Sequence, residues 1–236
     1  MGKPETILVT TAGKDRNARL IELVVFDLDG TLIDSSRDLA NSTNAMRARF
    51  GLPPLEQEVV NSYVGNGAAV LVRRALGSDA PEERIAEALD YFLKYYRAHA
   101  LEHTNLYPGI PEMLAALATN GRKLAVLTNK PEEITLDILA SLGVQKLFFR
   151  VCGGNTFAQK KPHPAGLLDL IARASVEPDA ALMVGDSAVD VQTARNAETR
   201  SCGALWGFQP ETFATAPPDF TIAVPGDLLS QVNVAI

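Results

Sequence analysis

Leu23-Val24-Val25-Phe26-Asp27-Leu28-Asp29-Gly30-Thr31 is the stretch on which the reading of this chain turns. The short apolar run, Leu23 to Phe26, reads as a buried strand, and Gly30 as the break that ends it. Two carboxylates at the exit of a buried strand are a poor choice for packing alone. Ionised and so close, they repel and lose hydration, so they call for a cation or a proton between them. Mg2+ would serve, being a hard cation that takes carboxylate oxygen. Asp27 is then available as a nucleophile toward phosphorus. The aspartyl-phosphate it forms divides one hard hydrolysis into two easier steps. Asp29 is placed to protonate the departing oxygen and later to activate water. Taken alone, the same residues also describe an ordinary strand and an acidic turn.

Downstream of Thr31 the pattern turns helical. Asp34-Ser35-Ser36 caps a helix reaching about Phe50, and Gly51-Leu52-Pro53-Pro54 stops it. Leu55–Tyr63 reads as a short helix and Ala68–Leu76 as a third, after the turn Gly65-Asn66-Gly67. Pro81-Glu82-Glu83 opens a fourth that runs to about Leu101. Residues 35–106 therefore read as all-helical. From Tyr107 onward strands and helices alternate. The predicted helices are Ile110–Thr119, one from Asn129-Lys130-Pro131 to near Gly143, Pro164–Ser175, Ala188–Asn196 and Leu228–Asn233. The predicted strands are Lys123–Thr128, Leu147–Val151, Ala181–Val184, Ser201–Leu205 and Phe220–Val224. Such alternation implies βαβ units and a parallel sheet with right-handed crossovers. The fold class is thus α/β: a doubly wound, Rossmann-like core, residues 21–34 plus 107–236, with an inserted helical domain at 35–106. Residues 1–20 read as a mostly irregular leader with a short strand near Ile7–Thr10.

In a doubly wound sheet, ligands bind beyond the carboxyl ends of the strands. Asp27 and Asp29, Thr128-Asn129, and Gly185-Asp186-Ser187 all fall at such ends, and Lys160-Lys161-Pro162 lies in a loop just before a helix. Any one of these is ordinary: a helix cap, a turn, a solvated lysine. Together they suit phosphoryl transfer, in which positioning and charge neutralisation dominate. Thr128 and the Asn129 amides can bind phosphate oxygens at a helix start. Lys161 can neutralise developing charge and hold Asp27 ionised. Asp186 adds a carboxylate to the metal site, and Asp190, one helical turn on, orients Lys161 or a metal-bound water.

Composition narrows the class. The 236 residues are 47% hydrophobic, which suits one large domain or a core with a smaller insert. A net charge of −6 without a dense basic run argues against nucleic acid and against an anionic membrane. Two scattered cysteines, Cys152 and Cys202, fit a reducing cytoplasm. No apolar run approaches the roughly 18 residues of a transmembrane helix. The Met1–Thr6 stretch fits a loose myristoylation pattern without a second anchor, and the polar stretch Lys14–Arg19 rules out a secretory signal. The expected partner is a small phosphorylated metabolite, and the expected assembly a monomer or homodimer.

At this point the chain resembles the haloacid dehalogenase-like phosphatases. The resemblance rests on Asp27-Leu28-Asp29-Gly30-Thr31, Thr128-Asn129, Lys161-Pro162, and Gly185-Asp186-Ser187 with Asp190, in order over residues 21–208. It implies that Asp27 is the nucleophile and Asp29 the acid/base. It also implies that Mg2+ is held by the Asp27 side chain, the Asp29 backbone carbonyl and Asp186. The family's dehalogenases lack the second aspartate, so Asp29 favours a phosphatase. The helical insert resembles the family's cap. Tyr63-Val64-Gly65-Asn66-Gly67-Ala68 with Arg73-Arg74-Ala75-Leu76, Val126–Pro131, Lys160–Pro164 and Trp206-Gly207-Phe208 resemble phosphoglycolate phosphatases. In that likeness, the amides of Gly65 and Asn66 face a substrate carboxylate and Arg74 pairs with it; otherwise Asn66 is a helix cap and Arg74 a solvated charge. Ala188-Val189 departs from the Arg-Asn frequent in relatives, which weakens hydrogen bonding beside the metal. His163 reads as a loop group. His99 and His103 suit a helix C-terminus without zinc. Pyrophosphatases, sugar-phosphate phosphatases and mutases are the alternatives of the same kind. A catalytically silent module that binds a phosphorylated ligand is the alternative of another kind.

Overall fold

The computed structural model describes residues 20–77 and 79–233. The leader and the short strand expected near Ile7–Thr10 lie outside them. The strands are β1 Leu23–Phe26, β2 Ile33–Asp34, β3 Asn105–Leu106, β4 Lys123–Leu127, β5 Arg150–Cys152, β6 Ala181–Gly185, β7 Arg200–Ala204 and β8 Phe220–Ile222. The helices of the first half are α1 Ser36–Arg49, α2 Gln57–Asn61, α3 Ala68–Leu76 and α4 Glu82–His99. Those of the second half are α5 Ile110–Thr119, α6 Glu132–Ser141, α7 Ala165–Ala174, α8 Ala188–Asn196 and α9 Asp227–Asn233.

Six strands form one parallel sheet in the order β5-β4-β1-β6-β7-β8. The chain starts in the middle with β1, winds outward through β4 and β5, then returns to the other side of β1 with β6, β7 and β8. That reversal is the topological switch point where a doubly wound sheet opens a crevice. Strand β1 is buried along its whole length, so it needs apolar side chains on both faces. Val24 and Phe26 join one core with Leu114 of α5, Ile138 of α6 and Leu228 of α9. Leu23 and Val25 join a second core with Leu167 and Ile171 of α7. Deleting one such fully buried aliphatic chain costs about 2–5 kcal/mol.

Two local expectations change. Residues 35–106 are not wholly helical: Asn105 and Leu106 pair antiparallel with Asp34 and Ile33, so a two-stranded ribbon joins the ends of the helical stretch. Two-residue strands have no periodicity to read. The strand expected at Leu147–Val151 begins later, at Arg150; Gln145–Leu147 is a tight 3-10 turn. The Phe149 N–H bonds to the Leu124 carbonyl at 2.9 Å, and the pairing with β4 continues from there. Ser35 stands at the start of α1 but makes no capping bond. Asp34 Oδ1 accepts from the Ser36 N–H at 3.1 Å instead, which leaves the Ser35 hydroxyl for Asp29.

Candidate active site

The site begins where β1 stops. Asp27 still pairs with the sheet through its N–H to the Val184 carbonyl, 2.9 Å, so its side chain is fixed at the strand end. Strand β6 ends beside it and delivers Asp186, and the first turn of α8 brings Asp190. A capping box holds α8 in place: Ser187 and Asp190 bond to one another, the Ser187 hydroxyl to Asp190 Oδ2 at 2.8 Å. Lys161 arrives from the loop after β5. Its ammonium lies 2.9 Å from Asp27 Oδ1 and 2.6 Å from Asp190 Oδ1. Asp190 thus does reach Lys161. Two glycines make this closeness possible. A Cβ on Gly30, which has φ +80°, would lie 2.2 Å from Asp186 Oδ2, and one on Gly185 would lie 2.1 Å from the Asp190 carboxyl carbon.

The charges in this corner do not balance. Asp27, Asp186 and Asp190 offer oxygens within 4.8 Å of one another, against the single ammonium of Lys161. Burial drives the Asp27 carboxyl up to about 6, more than Lys161 draws it down. Lys161 therefore offsets the desolvation of Asp27 only in part, and the carboxyl rises above its ordinary range despite the ion pair. Burial, then Asp190 and Asp27, also push Asp186 well above the usual carboxylate range, against the Phe208 N–H that donates to its Oδ2 at 2.7 Å. Asp27 Oδ1 is buried without a hydrogen bond of normal geometry, the lysine contact notwithstanding. An under-satisfied, all-oxygen, net anionic pocket fits a hard divalent cation.

Asp29 is held differently. Its Oδ1 accepts from the Ser35 hydroxyl at 2.5 Å and from Lys130 Nζ at 2.7 Å. Lys130 also donates to the Tyr96 hydroxyl at 2.5 Å, which ties the segment after β4 to helix α4. Lys130 is buried, yet Asp29 and Tyr96 outweigh desolvation and hold it charged, pushed up to about 12. Burial pushes the Tyr96 phenol up to about 12. Sequence reading gave neither residue a role. A lysine followed by proline reads as a surface cation, and Tyr96 as one of several aromatic residues on a helix; only the fold puts them together.

A cavity joins the two parts. It is lined by Asp27, Asp29, Thr128, Asn129 and Lys130 at one end and by apolar residues such as Leu39, Val64, Leu71 and Phe92 at the other. Its interior offers about 40 Å3 to the centre of a water-sized body. A water needs about 10–15 Å3 by this measure, so the space is small.

Thr128 lines this cavity, and its Oγ1 accepts from the Lys130 N–H at 3.3 Å. Asn129 lines it too, and its side chain is engaged by backbone groups. The amide donates to the carbonyls of Gly65 and Lys161 at 2.8 and 3.0 Å and accepts from the Lys161 N–H at 2.9 Å. It clamps the Lys161 loop and the turn before α3 to the end of β4. Gly65 borders the cavity, whereas Asn66 is half-buried and outside its lining. Arg74 is not brought to the site: it is exposed in the last turn of α3 and absent from the cavity wall, because the inward face of that helix is Leu71, Val72 and Ala75. Gln209 bridges the two parts again, donating to the carbonyls of Asn61 and Val64 at 2.8 and 3.0 Å. At position 188, where a side-chain donor is missing, the backbone N–H bonds to Thr212 Oγ1 at 2.8 Å. His163 is exposed and accepts from the Ala165 N–H. His99 stacks on Tyr95 and meets Glu102 at 2.6 Å. Cys152 and Cys202 are buried and unpaired. Among the described residues no helix is long and apolar enough to cross a membrane.

Comparison with known proteins places this geometry. Residues 24–204 match the model of the haloacid dehalogenase-like hydrolases. Phosphoglycolate phosphatase 1 of Pseudomonas aeruginosa is 43% identical over 224 residues, 92% of this chain and 82% of that one. The phosphoglycolate phosphatase of Aquifex aeolicus is 36% identical, over 90% of this chain and 97% of its own. Among solved structures, a predicted phosphoglycolate phosphatase from Haemophilus somnus superposes with a TM-score of 0.85 at 33% identity. That match covers 89% of this chain and 97% of the other.

Proposed function

The chain belongs to the haloacid dehalogenase-like hydrolases, and from that premise we propose that it is a Mg2+-dependent phosphomonoesterase whose substrate is 2-phosphoglycolate. The observation that carries the reading is Asp27: a buried carboxylate at the end of the central strand, beside Lys161, on the wall of a small cavity. The substrate follows from the names of the relatives and from the size of that cavity, which favours a compact ester.

Asp27, Asp186 and the Asp29 backbone carbonyl would hold the cation. When bound, Mg2+ supplies positive charge for the carboxylates and for the phosphoryl oxygens. An Asp27 oxygen attacks phosphorus as the bond to the ester oxygen breaks. Asp29 gives that oxygen its proton, so glycolate leaves as an alcohol. Asp29, now a carboxylate, takes a proton from water, and the resulting hydroxide attacks the aspartyl-phosphate. Inorganic phosphate leaves and both aspartates are restored. Lys161 balances charge on the transferred group and is oriented by Asp190, while Thr128 offers its hydroxyl to a phosphoryl oxygen. Residues 35–106 act as a cap that closes over the core and keeps bulk water out. The buried thiols and the absence of a long apolar helix among the described residues are compatible with work in the cytoplasm.

Phosphate release from purified protein against 2-phosphoglycolate, pyrophosphate and hexose phosphates tests this. A clear preference for phosphoglycolate is expected; equal turnover of all three overturns the substrate, and release from none overturns the enzyme.

A further inference from the structure

Arg74 faces solvent, so the cation expected to receive a substrate carboxylate is missing from the place assigned to it. Lys130 is the only basic residue lining the cavity among the described residues. Its surroundings leave two donors over. An ammonium carries three N–H groups. One goes to Asp29 Oδ1 at 2.7 Å and one to the Tyr96 oxygen at 2.5 Å, which leaves the third. Tyr96 accepts from the lysine, so its own O–H proton is also left to give. Two donors on adjacent atoms match the two oxygens of one carboxylate.

The rest of the wall supports the placement. Beyond Lys130 and Tyr96 the cavity is apolar, with Leu39, Leu71 and Phe92 facing it. A carboxylate buried there would go unpaired at a cost of several kcal/mol. The shape of the ester gives the same answer. In 2-phosphoglycolate a single methylene separates the ester oxygen from the carboxylate. The group that protonates that oxygen and the group that receives the carboxylate must therefore be neighbours, and Asp29 and Lys130 are in direct contact.

We propose that Lys130 Nζ and Tyr96 Oη form the subsite that receives the substrate's carboxylate, and so select a two-carbon phosphorylated acid over esters with uncharged tails. This rests on the phosphoglycolate reading above. One partner comes from the core and the other from helix α4. The subsite is therefore complete only when the helical stretch is seated as seen, so a substrate with the right tail also stabilises the closed arrangement.

The test compares two esters of nearly equal size, 2-phosphoglycolate and 2-hydroxyethyl phosphate, in the wild type, Lys130→Met and Tyr96→Phe. The readout is the ratio of kcat/KM values, because any effect transmitted through Asp29 falls on both esters and cancels. The wild type is expected to favour phosphoglycolate by at least about tenfold, the scale of one charge-assisted hydrogen bond. Lys130→Met is expected to remove most of that preference, mainly through KM, and Tyr96→Phe to reduce it about threefold or more. Should Lys130→Met fail to fold, Tyr96→Phe, which keeps the ring, decides alone. A preference that survives both changes overturns the subsite and leaves the phosphoglycolate reading standing. No preference in the wild type removes that reading and the subsite with it.

Discussion

Lys161 and Lys130 are both buried and both ion-paired, yet Lys161 is held wholly by loops and a helix at the sheet edge, whereas Lys130 joins the sheet to α4. The Lys161 corner has three carboxylates for one ammonium. The Lys130 corner matches one carboxylate with one ammonium and adds a neutral hydroxyl. The first is therefore incomplete without a further cation, and the second complete without one. Burial magnifies the contrast, since an uncompensated charge away from water is far more costly than a paired one. It raises Asp27 and Asp186 toward protonation, while Lys130 is held charged by its partners. Chemistry is thus expected to fail when the first corner is touched, and selectivity and closure when the second is.

The largest effect should follow Asp27→Asn. The amide cannot attack phosphorus, so turnover is expected to fall by at least about 1,000-fold, as when other nucleophiles are removed. The Lys130 corner and the sheet should be undisturbed, with circular dichroism near the wild-type spectrum. Chelation with EDTA should match this loss of activity reversibly, and Mg2+ restore it in the wild type alone. Turnover that persists in the variant with Mg2+ present breaks the assignment of the first corner.

Lys161→Met comes next and concerns stability as much as rate. It leaves Asp27 and Asp190 buried without their cation, and breaking such a pair costs about 3–5 kcal/mol. Urea unfolding should show this loss in EDTA, with part of it recovered at saturating Mg2+, because the ion can neutralise some of what the lysine did. A loss that Mg2+ leaves unchanged means that the cation and Lys161 do not share the same carboxylates.

The contrast between the corners also marks how far the sequence could be read. The sheet was legible because each of its longer strands is a short apolar run bounded by turn residues, and because strand alternated with helix after Tyr107. The first corner was legible for the same reason: Asp27, Thr128 and Asp186 each follow such a run, so finding the strand finds the residue. Lys161 has no strand directly before it and was found through its place before Pro162 and a helix. The second corner had no such marker. Lys130 meets Tyr96 across 34 residues, and Ser35 meets Asp29 because Asp34 had already satisfied the helix start. Arg74 failed for the opposite reason. Its type suited the chemistry, but its place on α3 is set by Leu71, Val72 and Ala75, which take the inward face. The ribbon Ile33–Asp34 with Asn105–Leu106 is too short to leave a pattern.

A pH series sharpens the charge argument. In EDTA, burial raises the folded pKa of Asp27 to about 6 from an ordinary value of 3.8. A carboxyl whose folded pKa is raised contributes stability below the unfolded value and loses it as pH rises through the folded one. The stability of the wild type relative to Asp27→Asn should therefore fall between about pH 4 and pH 6, with Asp186 common to both. With saturating Mg2+ the fall should flatten, since the ion replaces the proton. A difference that rises with pH in EDTA would mean that Lys161, not burial, governs Asp27.

The smallest effect tests the second corner by itself. Tyr96→Phe removes one hydroxyl and keeps the ring, whose centre lies 4.5 Å from Lys130 Nζ. The lysine keeps Asp29 and the ring face and loses one acceptor. A hydrogen bond to a charged group is worth about 1.5–3 kcal/mol net, so urea should unfold the variant with a loss of about that size. EDTA and Mg2+ should leave that increment unchanged, because this corner holds no unbalanced charge for an ion to meet. If the loss grows several-fold when Mg2+ is removed, the corners are coupled through Asp29, and the separation drawn between them gives way to a single network that runs from Asp190 to Tyr96.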